Sequence, residues 1–176
     1  MRWEAAINEL RDDSRSGAEE LAGRALELLS DVVGDSVPEE VADYREWLVR
    51  LSRDVMGAQP SMAVFYRLVN DMLWACHEAS EGEQIRQDAL NFLQEYGARS
   101  QVAMQSLVEN SCAYLHNFPV IMTYSRSSTV VRVLTAMGER GFDLRVLCSE
   151  GRPLLEGQTL ASELGWAGVN VTMGID

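Results

Sequence analysis

The chain has 176 residues, 47% hydrophobic and 24% charged, a balance ordinary for a globular protein and sufficient for one domain or two small ones. A formal net charge of −12 argues against direct, non-specific binding to nucleic acid or anionic membranes, while leaving room for a local basic pocket. All 15 basic residues are arginine, which excludes a lysine-based mechanism. Cys76, Cys112 and Cys148 are odd in number and form no C-x-x-C pair, which predicts buried thiols in a reducing compartment, the cytoplasm. His77 and His116 have no partners at ligand spacing, so neither a metal site nor a cofactor is expected. Met1 to Glu4 opens without an apolar leader, and no apolar run reaches membrane-spanning length.

The N-terminal part reads as helices. Trp3, Ile7 and Leu10 mark a short one before the Asp12-Asp13-Ser14 break. Ala18, Leu21, Ala22, Ala25, Leu28, Leu29 and Val32 form the stripe of an amphipathic helix that Gly34 ends. Its first turn, at Gly17-Ala18, has Ser14 or Ser16 available as cap. Pro38 opens a third, with Glu39 and Glu40 in the first turn where the dipole favours carboxylates; Val41, Tyr44, Leu48, Leu51 and Val55 are its buried side, and Gly57 stops it. Pro60 begins a fourth, carrying Met62, Phe65, Leu68, Val69, Met72 and Leu73 inward. After Ser80-Glu81-Gly82-Glu83 comes a long one, with Ile85, Ala89, Phe92, Leu93, Tyr96, Val102, Leu107 and Val108 as its stripe. Helical periodicity gives way near Tyr114 to Phe118.

From there the pattern changes. Pro119 to Thr123 is too short and too β-branched for a helix, and Val130 to Met137 is helical until Gly138 or Gly141. Phe142 to Cys148, Leu155 to Trp166 and Val169 to Met173 then read as strand, helix and strand. Strands alternating with crossover helices predict βαβαβ with a parallel sheet. The fold class is therefore α/β: a helical bundle over residues 1–116, then a partial Rossmann-like sheet domain over residues 117–176. In such sheets ligands bind beyond the carboxyl ends of the strands. Two polar knots sit there: Ser125-Arg126-Ser127-Ser128-Thr129, and Glu150-Gly151-Arg152-Pro153. Hydroxyls beside the unpaired N–H groups of a helix start suit a phosphate, and Arg126 and Arg152 could add fork-shaped contacts. The competing reading is that Ser127 or Ser128 caps the helix and the arginines are solvated. No G-x-G-x-x-G or G-x-x-x-x-G-K points to a dinucleotide or P-loop site. Cys148, with no histidine near in sequence, reads as a buried thiol rather than a nucleophile.

The stretch Val120-Ile121-Met122-Thr123-Tyr124-Ser125-Arg126-Ser127-Ser128-Thr129-Val130, followed by Ser149-Glu150-Gly151-Arg152-Pro153-Leu154-Leu155-Glu156-Gly157, resembles the regulatory subunits of translation initiation factor 2B. Their superfamily also holds methylthioribose-1-phosphate and ribose-1,5-bisphosphate isomerases. Arg15 to Ala22 and Gln59 to Ala63 fit as well, so the resemblance spans nearly the whole chain. It implies a ligand site formed by Ser125, Arg126, Ser127, Ser128 and Arg152, with Glu156 and Gly157 shaping the second loop. It also implies a lid at Arg15, Gly17 and Ala18, and a site-lining loop at Pro60-Ser61-Met62. The isomerases place a catalytic cysteine where Ser125 stands, and their catalytic aspartate lies beyond Asp176. They carry an arginine directly before Gly-Ala, where this chain has Ser16 with Arg15 one position earlier.

The resemblance thus implies a protein that binds a phosphorylated sugar or nucleotide and associates with copies of itself or with related subunits, without catalysis. The chain reads as the N-terminal part of a member, since relatives continue with the rest of the sheet. Two other readings stay open. One is a sugar-phosphate aldose-ketose isomerase, and the other is a purely structural interaction module.

Overall fold

Seven helices and three strands are seen among the described residues, 3–37 and 40–175, of a computed structural model. By compactness the chain divides into residues 1–100 and 101–176.

The first unit is helical: α1 (Glu4–Asp12), α2 (Ala18–Gly34), α3 (Val41–Ala58), α4 (Ala63–Ala75) and the N-terminal part of α5 (Gly82–Leu115). Its core is the set of stripes read from the sequence. Leu21, Ala25 and Leu29 of α2, Leu48, Leu51 and Val55 of α3, Phe65, Leu68 and Met72 of α4, and Ile85, Ala89 and Leu93 of α5 are buried together. Each large apolar side chain so buried contributes about 1.5–3 kcal/mol.

Helix starts are where sequence and structure part. Pro38 and Glu39, expected to open α3, lie outside the described residues; α3 is seen from Val41, with Glu40 at its N-cap. α4 begins at Ala63 rather than Pro60, because Gln59 to Met62 close a turn, the Met62 N–H donating to the Gln59 carbonyl at 3.0 Å. Neither serine caps α2. Gly17 is the N-cap, and its N–H donates to the Glu20 carboxylate at 2.9 Å. The Ser16 hydroxyl turns back to Asp13 at 2.8 Å, because Asp13 organises the whole loop.

The second unit holds the end of α5, β1 (Val120–Thr123), α6 (Ser128–Glu139), β2 (Arg145–Ser149), α7 (Glu156–Trp166) and β3 (Asn170–Gly174). The sheet is parallel, in the order β1-β2-β3, with Ile121, Val146 and Val171 in register. Those three residues share a core with Val133, Leu134 and Met137 of α6, Leu160 and Leu164 of α7, and Cys112 of α5. The last turns of α5 therefore belong to this core, and the compact division falls inside α5 rather than at the change of periodicity near residue 116.

α6 runs through Gly138 and stops before Gly141, whose φ of +75° breaks the helix. Val102 and Leu107 of α5, expected to be inward, are 64% and 41% exposed. An α-helix satisfies its own backbone, so it can run on without burying every apolar side chain. On the side of the sheet opposite the core, Val120 is 49% and Met122 71% exposed.

Candidate functional site

The carboxyl ends of β1 and β2 bring the two polar knots together. Ser125 follows β1, and its hydroxyl donates to Glu156 Oε1 on the first turn of α7 at 2.6 Å. Ser127 takes the N-cap position of α6, yet its side chain makes no capping bond, so the capping reading of that serine does not hold. Four N–H groups at a helix start lack intrahelical acceptors. At α6 the N-cap side chain supplies none, and Ser125, Ser127, Ser128 and Thr129 flank that turn in sequence. Ser128 is itself 6% exposed.

The two arginines behave differently. Arg126 is neither solvated nor turned outward: its Nε lies 3.2 and 3.0 Å from the two Glu163 carboxylate oxygens, and its Nη2 donates to Oε1 at 2.9 Å. The pair is part-buried, with side chains 14% and 27% exposed, and it ties the first knot to α7. Arg152 is 60% exposed and reaches back to Glu150 Oε2 at 2.8 Å; Gln158 Nε2 donates to the other Glu150 oxygen at 3.1 Å. Glu150 also donates its N–H to the Gly174 carbonyl at the end of β3, at 2.9 Å.

Glu150 is read from the sequence only as a member of the second knot, and Glu163 is not singled out there. Glu163 carried a signal: Glu156 and Glu163 stand two turns apart on α7, which puts both carboxylates on one face, toward the first knot.

The second loop is tight. Gly151 has φ +78° and Leu155 φ +56°, the latter a left-handed conformation that a branched side chain adopts at a cost. The Leu155 N–H donates to the Gly151 carbonyl at 2.7 Å and the Gly157 N–H to the Glu150 carbonyl at 3.1 Å. A Cβ on Gly157 would sit 1.7 Å from the Ser149 carbonyl oxygen, so only glycine lets α7 start this close to β2. Gly157 thus shapes the loop through its backbone.

Cys148 is 2% exposed beneath these loops, and burial pushes its thiol up, with the Thr123 hydroxyl acting in the opposite sense. A thiol held protonated is a poor nucleophile. On the outer flank of β1 a groove of about 430 Å³ opens between Leu107 and Leu115 of α5, Ile121 of β1, and Val130 and Val133 of α6, with Ser125 and Thr129 at one end.

The expected lid residues lie in the first unit, where they form the loop before α2. Asp13 Oδ1 accepts the N–H groups of Arg15 (2.9 Å) and Ser16 (2.8 Å), and its Oδ2 accepts from the Ser16 hydroxyl and from Arg24 Nη1 at 2.7 Å. The Ser16 and Arg15 N–H groups, the two largest causes, lower the Asp13 carboxyl to about 2. Arg15 is exposed and Ala18 begins α2. His77 and His116 are exposed, each ring bonded to a carbonyl of its own chain segment, and no cluster of metal-ligating side chains occurs among the described residues. No described helix is long and apolar enough to cross a membrane.

A helical unit followed by a parallel, Rossmann-like sheet with two loops gathered at its carboxyl end defines an α/β protein with a candidate ligand site at the edge of that sheet. The Initiation factor 2 subunit family matches residues 14–176, and the chain belongs to that family. A translation initiation factor eIF-2B subunit 2-like protein of Pyrococcus horikoshii is 26% identical over 166 residues, 93% of this chain and 55% of that protein. The ribose 1,5-bisphosphate isomerase of Thermococcus kodakarensis is 30% identical over 94 residues, 53% of this chain and 29% of the enzyme. Among solved structures, the tetrameric eIF2B β2δ2 complex of C. thermophilum shares the fold with a TM-score of 0.74, at 22% identity, over 97% of this chain and 58% of the matched one. The chain spans about half the length of the eIF-2B-like relatives it matches.

Proposed function

We propose that the chain belongs to an initiation-factor-2B-like regulatory protein that binds a phosphorylated sugar or nucleotide at the carboxyl ends of β1 and β2. The observation that carries this reading is the start of α6, which has no side-chain cap at Ser127 and is flanked in sequence by Ser125, Ser128 and Thr129. Ser125, Ser127, Ser128 and the N–H groups of that turn contact the phosphate, and Arg152 swings from Glu150 to join them. Arg126 acts through Glu163, holding the loop in place. Glu156 offers a carboxylate to ligand hydroxyls, and Gly157 keeps the second loop narrow.

Binding without turnover is favoured over isomerisation because Ser125 stands where the resemblance places the isomerases' cysteine. Cys148, the cysteine buried under the site, is held protonated. The isomerase reading keeps its support in the ribose 1,5-bisphosphate isomerase relatives. Association with like subunits is supported by the exposed face of the sheet, since parallel sheets are ordinarily covered on both sides.

Thermal melting against ribose 1,5-bisphosphate, methylthioribose 1-phosphate, ribose 5-phosphate, adenosine monophosphate and inorganic phosphate tests the site. A ligand at a hundred times its dissociation constant stabilises by about 2.7 kcal/mol. One sugar phosphate should shift the parent chain and not Arg152→Ala. A turnover assay on that ligand then separates binder from isomerase, and sedimentation velocity on the same sample reads association. If no ligand shifts the melt, the phosphate reading fails for this chain.

A further inference from the structure

The two loops of the second unit meet at a hydrogen bond whose donors and acceptors restrict the phosphate ester that fits there. The Ser125 hydroxyl donates to Glu156 Oε1 at 2.6 Å, in an exposed position at the first turn of α7. The neighbouring carboxylates are engaged at both oxygens. Arg126 donates to both oxygens of Glu163, while Arg152 and Gln158 take one oxygen each of Glu150. Glu156 differs: among the described residues, nothing donates to its Oε2. Nor can this carboxylate withdraw with its backbone. The Gly157 N–H is held by the Glu150 carbonyl at 3.1 Å, and a Cβ on Gly157 would stand 1.7 Å from the Ser149 carbonyl oxygen. The Glu156 stem lies over Gly151, where a Cβ would stand 3.1 Å from Glu156 Cγ. A fixed base therefore presents Glu156 to the first knot.

A serine hydroxyl carries one proton, whereas a phosphate dianion and a carboxylate only accept. When the Ser125 proton turns to a phosphate seated at the start of α6, Glu156 loses its donor and faces a second anion. A ligand hydroxyl that donates to Glu156 restores the match. It has to sit close to the phosphate, because the single Ser125 oxygen that meets the phosphate is already within 2.6 Å of Glu156. The carbon beside the ester carbon is the place for it. A sugar 1-phosphate has its 2-hydroxyl there; in a nucleoside 5′-monophosphate that carbon carries the ring oxygen and no hydroxyl. We infer that Glu156 is a specificity-determining residue, selecting phosphate monoesters with a hydroxyl on the neighbouring carbon, such as sugar 1-phosphates, over nucleoside 5′-monophosphates. This deepens the phosphate reading given above and rests on it.

Calorimetric titration of the full chain at pH 7.5, where phosphate monoesters are mostly dianions, tests this with four probes at constant ionic strength. They are ribose 1-phosphate, 2-deoxyribose 1-phosphate (which lacks only the hydroxyl in question), adenosine monophosphate and inorganic phosphate. Ribose 1-phosphate should bind about tenfold more tightly than either of the other two esters, the loss expected for a hydrogen bond to a charged group. Glu156→Gln keeps the shape, loses the charge and gains an amide donor. It should tighten inorganic phosphate several-fold and reduce the preference for ribose 1-phosphate over its deoxy analogue to about threefold or less. Titrations of the variant are run well below its own melting temperature, so that folded chains are compared. Equal binding of the ribose and deoxyribose esters to the parent overturns the inference and leaves the phosphate reading standing. So does a Glu156→Gln chain that keeps the parent's preference. Absence of binding by all four probes removes the phosphate reading, and the inference falls with it.

Discussion

Arg126 gives the sharpest prediction, because the same residue could serve a ligand or the fold. Its guanidinium makes three contacts of 2.9–3.2 Å to the Glu163 carboxylate, at side-chain exposures of 14% and 27%. Fully exposed pairs contribute about 0.2–1 kcal/mol, and breaking a fully buried one costs about 3–5 kcal/mol. A part-buried, fork-shaped pair lies between, so Arg126→Ala should cost about 2 kcal/mol. Glu163→Gln, which keeps the shape and one acceptor, should cost about half as much. For a unit of this size each kcal/mol moves the melting temperature by about 4–8 °C. Arg126→Ala should therefore melt the second unit roughly 8–16 °C early, read by scanning calorimetry. Amide exchange in α6 and α7 should rise in both variants, while exchange in α2 and α3 stays as in the parent. The reasoning is refuted if Arg126→Ala melts like the parent and loses its response to a phosphorylated ligand. Arg126 would then be a ligand contact that happens to rest on Glu163.

Three further outcomes follow from individual residues. Asp13 has a folded value of about 2 against an ordinary 3.8, so its contribution is fully present above about pH 4 and is lost as pH falls toward 2. Asp13→Ala should cost about 2 kcal/mol at neutral pH in urea titrations, with the gap to the parent closing between pH 4 and pH 2. Gly157→Ala should destabilise the second unit by more than about 3 kcal/mol, since its Cβ would meet the Ser149 backbone at 1.7 Å. Gly165→Ala, later in the same helix with nothing within 4 Å, should instead stabilise by about 0.5–1 kcal/mol, and chemical denaturation reads both. Burial raises the thiol of Cys76 to about 11 and that of Cys148 above its ordinary value, so iodoacetamide at pH 7.5 should label both far more slowly in the native chain than in urea.

The stripes of α2, α3 and α4 were legible because burial there repeats with the helical period. Leu21, Ala25 and Leu29, or Leu48, Leu51 and Val55, declare one face and no other. The βαβαβ order was legible because short β-branched runs and helical runs alternate between glycines. What the sequence hid was the pairing of polar groups. Ser16 looks like a cap for α2, but Asp13 three residues earlier outcompetes the helix for its hydroxyl. Arg126 looks like a ligand arm until α7 brings Glu163 to it across 37 residues of sequence. Propensity and periodicity carry no information about which carboxylate a distant guanidinium will meet.

That pairing also bears on the character of the site. Glu150, Glu156 and Glu163 stand with Arg126 and Arg152 around the two loops. Side-chain charge alone therefore does not make an attractive field for a dianion, and one arginine in each of two polar knots is an incomplete argument for a phosphate. The attraction has to come from the N–H groups at the start of α6, fixed in direction and unable to follow a counter-ion, together with the release of Arg152 from Glu150. With Arg126 committed to Glu163, phosphate affinity should rest on the hydroxyls, the helix start and Arg152. On the proposed function, such an arrangement would recognise a phosphate by geometry more than by net charge. Its affinity should accordingly fall little with added salt, whereas a site that relied on free arginines would weaken steeply.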